Sequence, residues 1–169
     1  MTLIEGNPAS AVRVVFFEDL QCGDCMRFRR MMDSALLPRF GDRVAFEHRD
    51  FPLPKHSWAR AAAVAARHFA ERSPAAGIDF RRETLECLKQ ISPETLPEHI
   101  RTFALAHGLD PAAALIANPE IEAAVEADYQ MGVARGVAKT PTVFAGETPL
   151  IEVFTVEEIS QAIDKAGKW

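Results

Sequence analysis

Hydrophobic positions change their period twice along this chain, and the changes divide it into an α/β part, a helical part and a second α/β part. Val12 to Phe17 (Val-Arg-Val-Val-Phe-Phe) is nearly continuously apolar, which predicts a central strand covered on both faces. Met26 to Phe40 is amphipathic. Counted from Cys25, helical spacing runs through Phe28, Met32, Ala35 and Leu36, which predicts a helix ending near Leu37-Pro38. Arg27, Arg29 and Arg30 fall on its wetter sides. Val44 to Phe51 alternates in part and predicts a second strand, reached by a right-handed βαβ crossover. His48 inside it reads as structural. Phe51-Pro52-Leu53-Pro54 then ends regular structure, because proline cannot continue a ladder.

From Ser57 the pattern is helical. Ser57 to Arg72 is alanine-rich, with Trp58, Ala62, Ala65 and Phe69 on one stripe. Ile78 to Gln90 carries Phe80, Thr84, Cys87, Leu88 and Ile91 along one face, and Pro93 to His107 is closed by Gly108. Asp110-Pro111 and Asn118-Pro119 each place an N-cap residue before a proline at the first helical position. After Gly136 the α/β pattern resumes. Pro141 to Ala145 predicts a strand, Gly146-Glu147-Thr148 a turn, and Pro149 to Phe154 an antiparallel partner. Thr155-Val156-Glu157-Glu158 has the capping-box pattern and opens a last helix with Ile159, Ala162, Ile163 and Ala166 inward. The expected fold class is α/β, in the order βαβ, helices, ββα. Residues 1–56 and 119–169 would form one domain around a central mixed sheet, and 57–118 an inserted all-helical domain.

Composition narrows the function classes. The 169 residues suffice for a domain with a sizeable core, and 48% hydrophobic with 25% charged residues is ordinary for a globular protein. A net charge of −5 argues against a phosphate-binding surface, so no nucleic-acid partner is expected. No apolar run approaches the roughly 18 residues that span a bilayer. Met1 to Ser10 lacks the basic and apolar regions of a signal peptide. A cytoplasmic location is expected if the chain is complete, and a periplasmic or other extracytoplasmic one if it is a processed form. Three cysteines make no disulfide framework, so the fold must rest on its core.

The chemistry is concentrated in Cys22-Gly23-Asp24-Cys25, between the first strand and the helix after it. Unpaired backbone N–H groups and the positive end of the helix dipole favour a thiolate there. The thiolate is the species that attacks a disulfide. Two intervening residues let the second sulfur fold back on the first. Cys25 continues the buried stripe and should be shielded, whereas Cys22 should be reachable; one attacks and the other resolves. A closed zinc site needs four ligands. Cys87 stands alone, and His48, His56, His68, His99 and His107 are scattered. A redox pair therefore outweighs zinc ligation or purely structural cysteines. Cys87, on an apolar stripe, reads as a buried inert thiol. Asp19 reads first as a cap for the loop or helix, and second as a proton shuttle to Cys25. Asp24 meets the helix dipole well, but its charge opposes a thiolate on Cys22.

Phe17-x-Asp19-x-x-Cys22-x-x-Cys25 follows a strand, and Gly136-Val137-Ala138-Lys139-Thr140-Pro141-Thr142-Val143-Phe144 precedes another. With Phe51-Pro52-Leu53-Pro54, these closely resemble the DsbA-like thiol–disulfide oxidoreductases of the thioredoxin superfamily. The resemblance covers essentially the whole chain, and it implies a thioredoxin fold with an inserted helical domain. It implies that Cys22 is the nucleophilic cysteine, Cys25 the resolving one and Pro141 a cis-proline facing the active site. Thr140 would tune the pair and present its backbone to a substrate peptide. Two departures stand out. Gly23-Asp24 lies between the cysteines where strongly oxidising members have a His next to the second, so a weaker oxidant is expected. Thioredoxins carry a buried acid six residues before the nucleophile, where this chain has Phe16, so a proton relay through that position is absent. The implied activity is disulfide exchange with protein or peptide substrates through a mixed disulfide. It needs no cofactor beyond the Cys22–Cys25 disulfide and no metal, but it needs a redox partner that resets the pair. A monomer is expected. The rival readings are a reductase or isomerase fed by a separate reductant, and a peptide-binding holdase that would keep working with both cysteines replaced by serine.

Overall fold

Residues 2–147 and 149–168 are described by the computed structural model of the protein. Five strands form one mixed sheet in the order β1–β3–β2–β4–β5. At its centre, β2 (Arg13–Glu18) and β3 (Ala45–Asp50) run parallel, with Phe16 opposite His48. β4 (Thr142–Ala145) lies antiparallel to β2, and β5 (Pro149–Ile151) antiparallel to β4. The predicted turn between these two includes Thr148, which lies outside the described residues. On the other edge, β1 (Leu3–Gly6) pairs antiparallel with β3. β1 leaves no mark in the hydrophobic pattern, since four residues carry too little alternation to register.

The crossover from β2 to β3 runs through α1 (Gly23–Met31), a π-helical stretch at Met32–Leu36 and α2 (Leu37–Phe40). Helix was expected to stop near Leu37-Pro38, but it continues past the proline. A proline inside a helix lacks an N–H and crowds the carbonyl four residues back. Here Pro38 sits at the start of α2, just after the wide π turn, where neither the donor nor that carbonyl position is required.

Between β3 and β4 come α3 (Ala59–Arg72), α4 (Pro74–Glu86), a 3₁₀ turn at Leu88–Gln90, α5 (Leu96–Ala106), α6 (Pro111–Leu115) and α7 (Pro119–Ala134). Asp110 and Asn118 cap as their sequence suggests, accepting from Ala112 N and from Glu120 N and Ile121 N. α4 begins earlier than predicted because Ser73 caps it, and it ends at Glu86. Cys87 is thereby placed at the junction with the 3₁₀ turn and is half-buried, not buried as its stripe suggested. α8 (Val156–Gly167) starts with the complete Thr155–Glu158 capping box.

Two main cores result. One lies between the sheet, α1–α2 and α8, and is built on Phe16, Phe28, Met32, Phe40, Phe46 and Ile159. The other lies among the helices, with Trp58, Phe69, Phe80 and Phe103 at its centre, and it takes in Leu20, Cys22 and Cys25. α3 and α4 approach closely at Gly77, where an added Cβ would stand 2.5 Å from Ala70 Cβ and 2.9 Å from its Cα. Gly→Ala in a helix normally gains roughly 1 kcal/mol. At Gly77 the overlap falls partly on backbone, so Gly77→Ala should instead destabilise by about 1–3 kcal/mol, read from the urea midpoint.

Candidate active site

The end of β2 delivers the site. Glu18 closes the strand, Asp19 to Gln21 turn the chain, and Cys22 is the N-cap of α1 with extended backbone (φ −99°, ψ 124°). Cys22 N donates to Asp19 O at 3.1 Å, and Met26 N donates to Cys22 O at 3.1 Å. Both thiols are free, with Cys22 8% and Cys25 1% exposed. Gly23 opens the helix with nothing within 4 Å of where a Cβ would be. From across the fold, Thr140 brings its carbonyl oxygen to 3.3 Å from Cys22 Sγ, and the Thr140–Pro141 peptide bond is cis.

The two thiols are driven apart electrostatically. A hydrogen bond from Cys25, then the Thr140 side chain and the backbone N–H groups of Cys25 and Asp24, lower the Cys22 pKa from 9.0 to about 6 against the cost of burial. The buried Thr140 hydroxyl has no hydrogen-bond partner within bonding geometry, and the close contact to Cys22 Sγ is made by the Thr140 carbonyl. Burial pushes the Cys25 thiol well above its ordinary value, and the bond to Cys22 adds to the rise. Asp24 thus acts on the sulfur through its backbone N–H. Its carboxylate is engaged by Arg27, one turn along, and does not stand unpaired beside the thiolate.

Asp19 is 1% exposed and ties two loops together. Its Oδ1 accepts from Gln21 N at 2.7 Å; its Oδ2 accepts from Leu53 N at 2.7 Å and from His56 Nδ1 at 2.8 Å. Its own N–H points at Cys25 Sγ, 3.4 Å away. Burial raises its pKa despite the bonds from Leu53, Gln21 and His56. Gln21 Oε1 accepts from Trp58 N at 2.8 Å, a second tie to the same loop. Nothing local in the sequence distinguishes His56 from the other scattered histidines. Only the fold brings it to Asp19.

Phe16, six residues before Cys22, packs its ring against His48 with centroids 4.4 Å apart. Two residues further along the same strand face, Glu18 is buried and its charge helps to raise the Cys25 pKa. An acid therefore lies near Cys25 after all, displaced from the expected position. Burial would raise the Glu18 pKa, but His48 and Arg81 hold it below the ordinary value, so it is a fixed anion. His48 Nδ1 is 2.6 Å from Glu18 Oε1 and its Nε2 2.8 Å from Glu5 Oε1. Arg81 bridges Glu18 (3.0 Å) and Asp50 (2.7 Å), and Arg67 joins Asp50 to Asp128. Arg29, expected on a wet face, is 3% exposed and pairs with Glu5 and Asp33. The unforeseen β1 supplies Glu5, and that partner allows the burial.

The site opens into a cleft of about 750 Å³ lined by Cys22, Asp24, His56, Lys139, Thr140 and Glu152 among others. Glu152 adopts a left-handed backbone (φ 58°) while its N–H donates to Pro141 O at 2.8 Å and its carboxylate meets Lys139 Nζ at 2.6 Å. These contacts lock the segment before β4 beside Cys22. Among the described residues no cluster of three or more His, Cys, Asp or Glu side chains could hold a metal. Among them, too, no helix is long and apolar enough to cross a membrane.

Comparison with solved structures places this architecture. The thiol-disulfide exchange protein alpha-DsbA2 from Wolbachia pipientis is 20% identical with a TM-score of 0.82, over 97% of this chain and 86% of that one. A thioredoxin-like oxidoreductase from Silicibacter pomeroyi DSS-3 is 22% identical with a TM-score of 0.81, over 99% and 93%. Proteus mirabilis ScsC in a transitional conformation is 16% identical with a TM-score of 0.80, over 99% and 74%. No curated protein matches the sequence. The thioredoxin family model matches residues 1–165, nearly the whole chain. With a Cys-x-x-Cys pair at the tip of α1, a five-stranded mixed sheet and helices inserted between β3 and β4, the chain belongs to the thioredoxin family, and its fold is similar to those of the DsbA structures.

Proposed function

We propose that the protein is a thiol–disulfide oxidoreductase that exchanges disulfides with protein or peptide substrates through Cys22. The observation that carries this reading is the split between the two thiols. Cys22, with its pKa at about 6, is largely thiolate at neutral pH, while Cys25 beside it stays protonated. The Cys22 thiolate attacks a substrate disulfide, giving a mixed disulfide and releasing one substrate thiolate. Cys25 then attacks Cys22 Sγ, closing the Cys22–Cys25 disulfide and releasing the second substrate thiol; oxidation of a substrate runs these steps in reverse. The Thr140–Pro141 segment borders the sulfur and is the natural place for a substrate backbone to lie. A separate redox partner resets the pair.

The direction of exchange follows from the thiolate. Stabilising Cys22 as an anion favours the reduced protein, so the disulfide form is an electron acceptor. This favours an oxidant over a reductase. Residues 57–118 are read as an inserted domain roofing the redox face, since their core includes Cys22 and Cys25. Limited proteolysis should then release no independently folded helical fragment.

The test is trapping. Cys25→Ser, incubated with a disulfide-bonded peptide, should accumulate a mixed disulfide on Cys22 visible by non-reducing electrophoresis, while the wild type turns over. Full turnover by Cys25→Ser would reverse the assigned roles. A double Cys22→Ser, Cys25→Ser variant that retained the protein's whole effect on substrates would mark a holdase instead.

A further inference from the structure

Exchange at Cys22 moves protons as well as electrons, and a side chain in the cleft is arranged to handle them. The Asp19 carboxylate is buried, and it fixes His56 through Nδ1 at 2.8 Å. A carboxylate accepting from Nδ1–H sets the imidazole's orientation and leaves Nε2 as the ring atom free to exchange a proton. The rest of the ring is partly exposed, and it lies in the same cleft as Cys22 and Thr140. The charged and titratable groups that bond the ring or share its cleft are Asp19 from the β2–α1 loop, Cys22 and Asp24 from the start of α1, the neighbouring Lys55, Lys139 before the cis-proline, and Glu152 after β5. Phe51 N donates to Glu18 O at 2.8 Å and Leu53 N to Asp19, so the loop carrying His56 is anchored to the strand end that carries the cysteines.

We propose that His56, oriented by Asp19, is the general acid and base of the exchange, giving a proton to the substrate sulfur that departs into the cleft. This rests on the oxidoreductase reading above. In the first step the Cys22 thiolate bonds to one substrate sulfur and the substrate S–S bond breaks. The electron pair stays on the departing sulfur, which takes the Nε2 proton of the His56 imidazolium. In the second step the Cys25 sulfur bonds to Cys22 Sγ, the mixed disulfide breaks, and the second substrate sulfur leaves with the electron pair. The proton lost by Cys25 balances the one gained by that sulfur. Over both steps the substrate disulfide is reduced to two thiols, the Cys22–Cys25 pair is oxidised, and one proton from solvent, delivered through His56, is consumed. In the reverse direction neutral His56 takes the proton of an incoming substrate thiol.

A purely structural His56 would serve the loop equally well, and the leaving group separates the two roles. An alkyl thiolate is a strong base and gains from a proton donor, whereas an aryl thiolate of low pKa leaves without one. Stopped-flow rates of the reduced protein are compared for a dialkyl and a diaryl disulfide between pH 5 and 8, in the wild type and in His56→Gln. Glutamine can still donate to Asp19 and hold the loop, but it cannot give up a proton. His56→Gln is expected to lower the alkyl rate about tenfold more than the aryl rate, and to give the alkyl reaction the same pH profile as the aryl one, set by Cys22 alone. Equal slowing of both reactions, or no slowing of either, overturns the proposal and leaves the oxidoreductase reading intact. A wild type inert to both disulfides overturns both.

Discussion

Cys22→Ser should reduce exchange with a peptide disulfide to the background rate of the buffer. Serine lacks an accessible anion at neutral pH, and Cys25 cannot replace the lost sulfur because it is buried and its own thiol is held protonated. The wild type should show the matching pH dependence. Alkylation of Cys22 by iodoacetamide is expected to rise about tenfold per pH unit up to about pH 6 and then level off, tracking the thiolate fraction. The folded-state pKa lies below the 9.0 of an ordinary thiol. The thiolate's contribution to the stability of the reduced protein is therefore full above about pH 9 and is lost as pH falls through about 6. Reduced protein should accordingly become more stable relative to oxidised protein as pH rises across that window. Paired thermal melts of the two forms measure this. A Cys22 that titrated near 9 would remove the basis for its role as nucleophile at neutral pH.

The second large effect lies beneath the site. Arg81→Met should destabilise the protein by about 3–5 kcal/mol, measured by chemical denaturation at neutral pH. Arg81 is 2% exposed and is bonded to both Glu18 and Asp50, which are themselves buried. Methionine fills similar space but leaves two carboxylates short of a cation in a medium that solvates charge poorly. The loss should shrink when Glu18→Gln and Asp50→Asn are added, because the uncompensated charges go with them. It should also shrink in acid, where protonation removes the same charges. In the wild type, burial works against ionised Glu5, but His48 and Arg29 outweigh it and bring its pKa from 4.5 to about 2. Its stabilising contribution is present above about pH 4.5 and is lost as pH falls towards 2. His48 has the opposite sign. Burial would lower its pKa, yet Glu18 and Glu5 raise it above 6.5, so its contribution is complete below 6.5 and is lost as pH rises through the folded-state value. An unfolding free energy of Arg81→Met within about 0.5 kcal/mol of wild type would mean that water, not Arg81, satisfies Glu18 and Asp50.

Local chemistry and period were enough for much of this protein. The apolar run before Cys22 made a covered strand, and the spacing from Cys25 through Phe28, Met32 and Leu36 made a helix with one buried face. The capping sequences at Asp110, Asn118 and Thr155 mark helix starts within the described residues, because a cap is decided by a few consecutive residues. A cysteine at the end of a strand and the start of a helix identified the reactive centre for the same reason. The burial of Arg29 depended on a partner distant in the chain. Arg29 looked like a surface residue until β1 placed Glu5 against it, and Phe16 looked like a lost acid until Glu18 proved to lie on the same face. Cys22 needs Thr140, more than a hundred residues away, and Asp19 needs His56 across two loops. The sequence by itself determined which residues form strands, helices and caps and where a nucleophile can arise, because those depend on neighbours within a few positions. Which buried charges are paired, and how far apart the two thiols titrate, was decided only by the tertiary structure, because desolvation and Coulomb energy depend on distance in space.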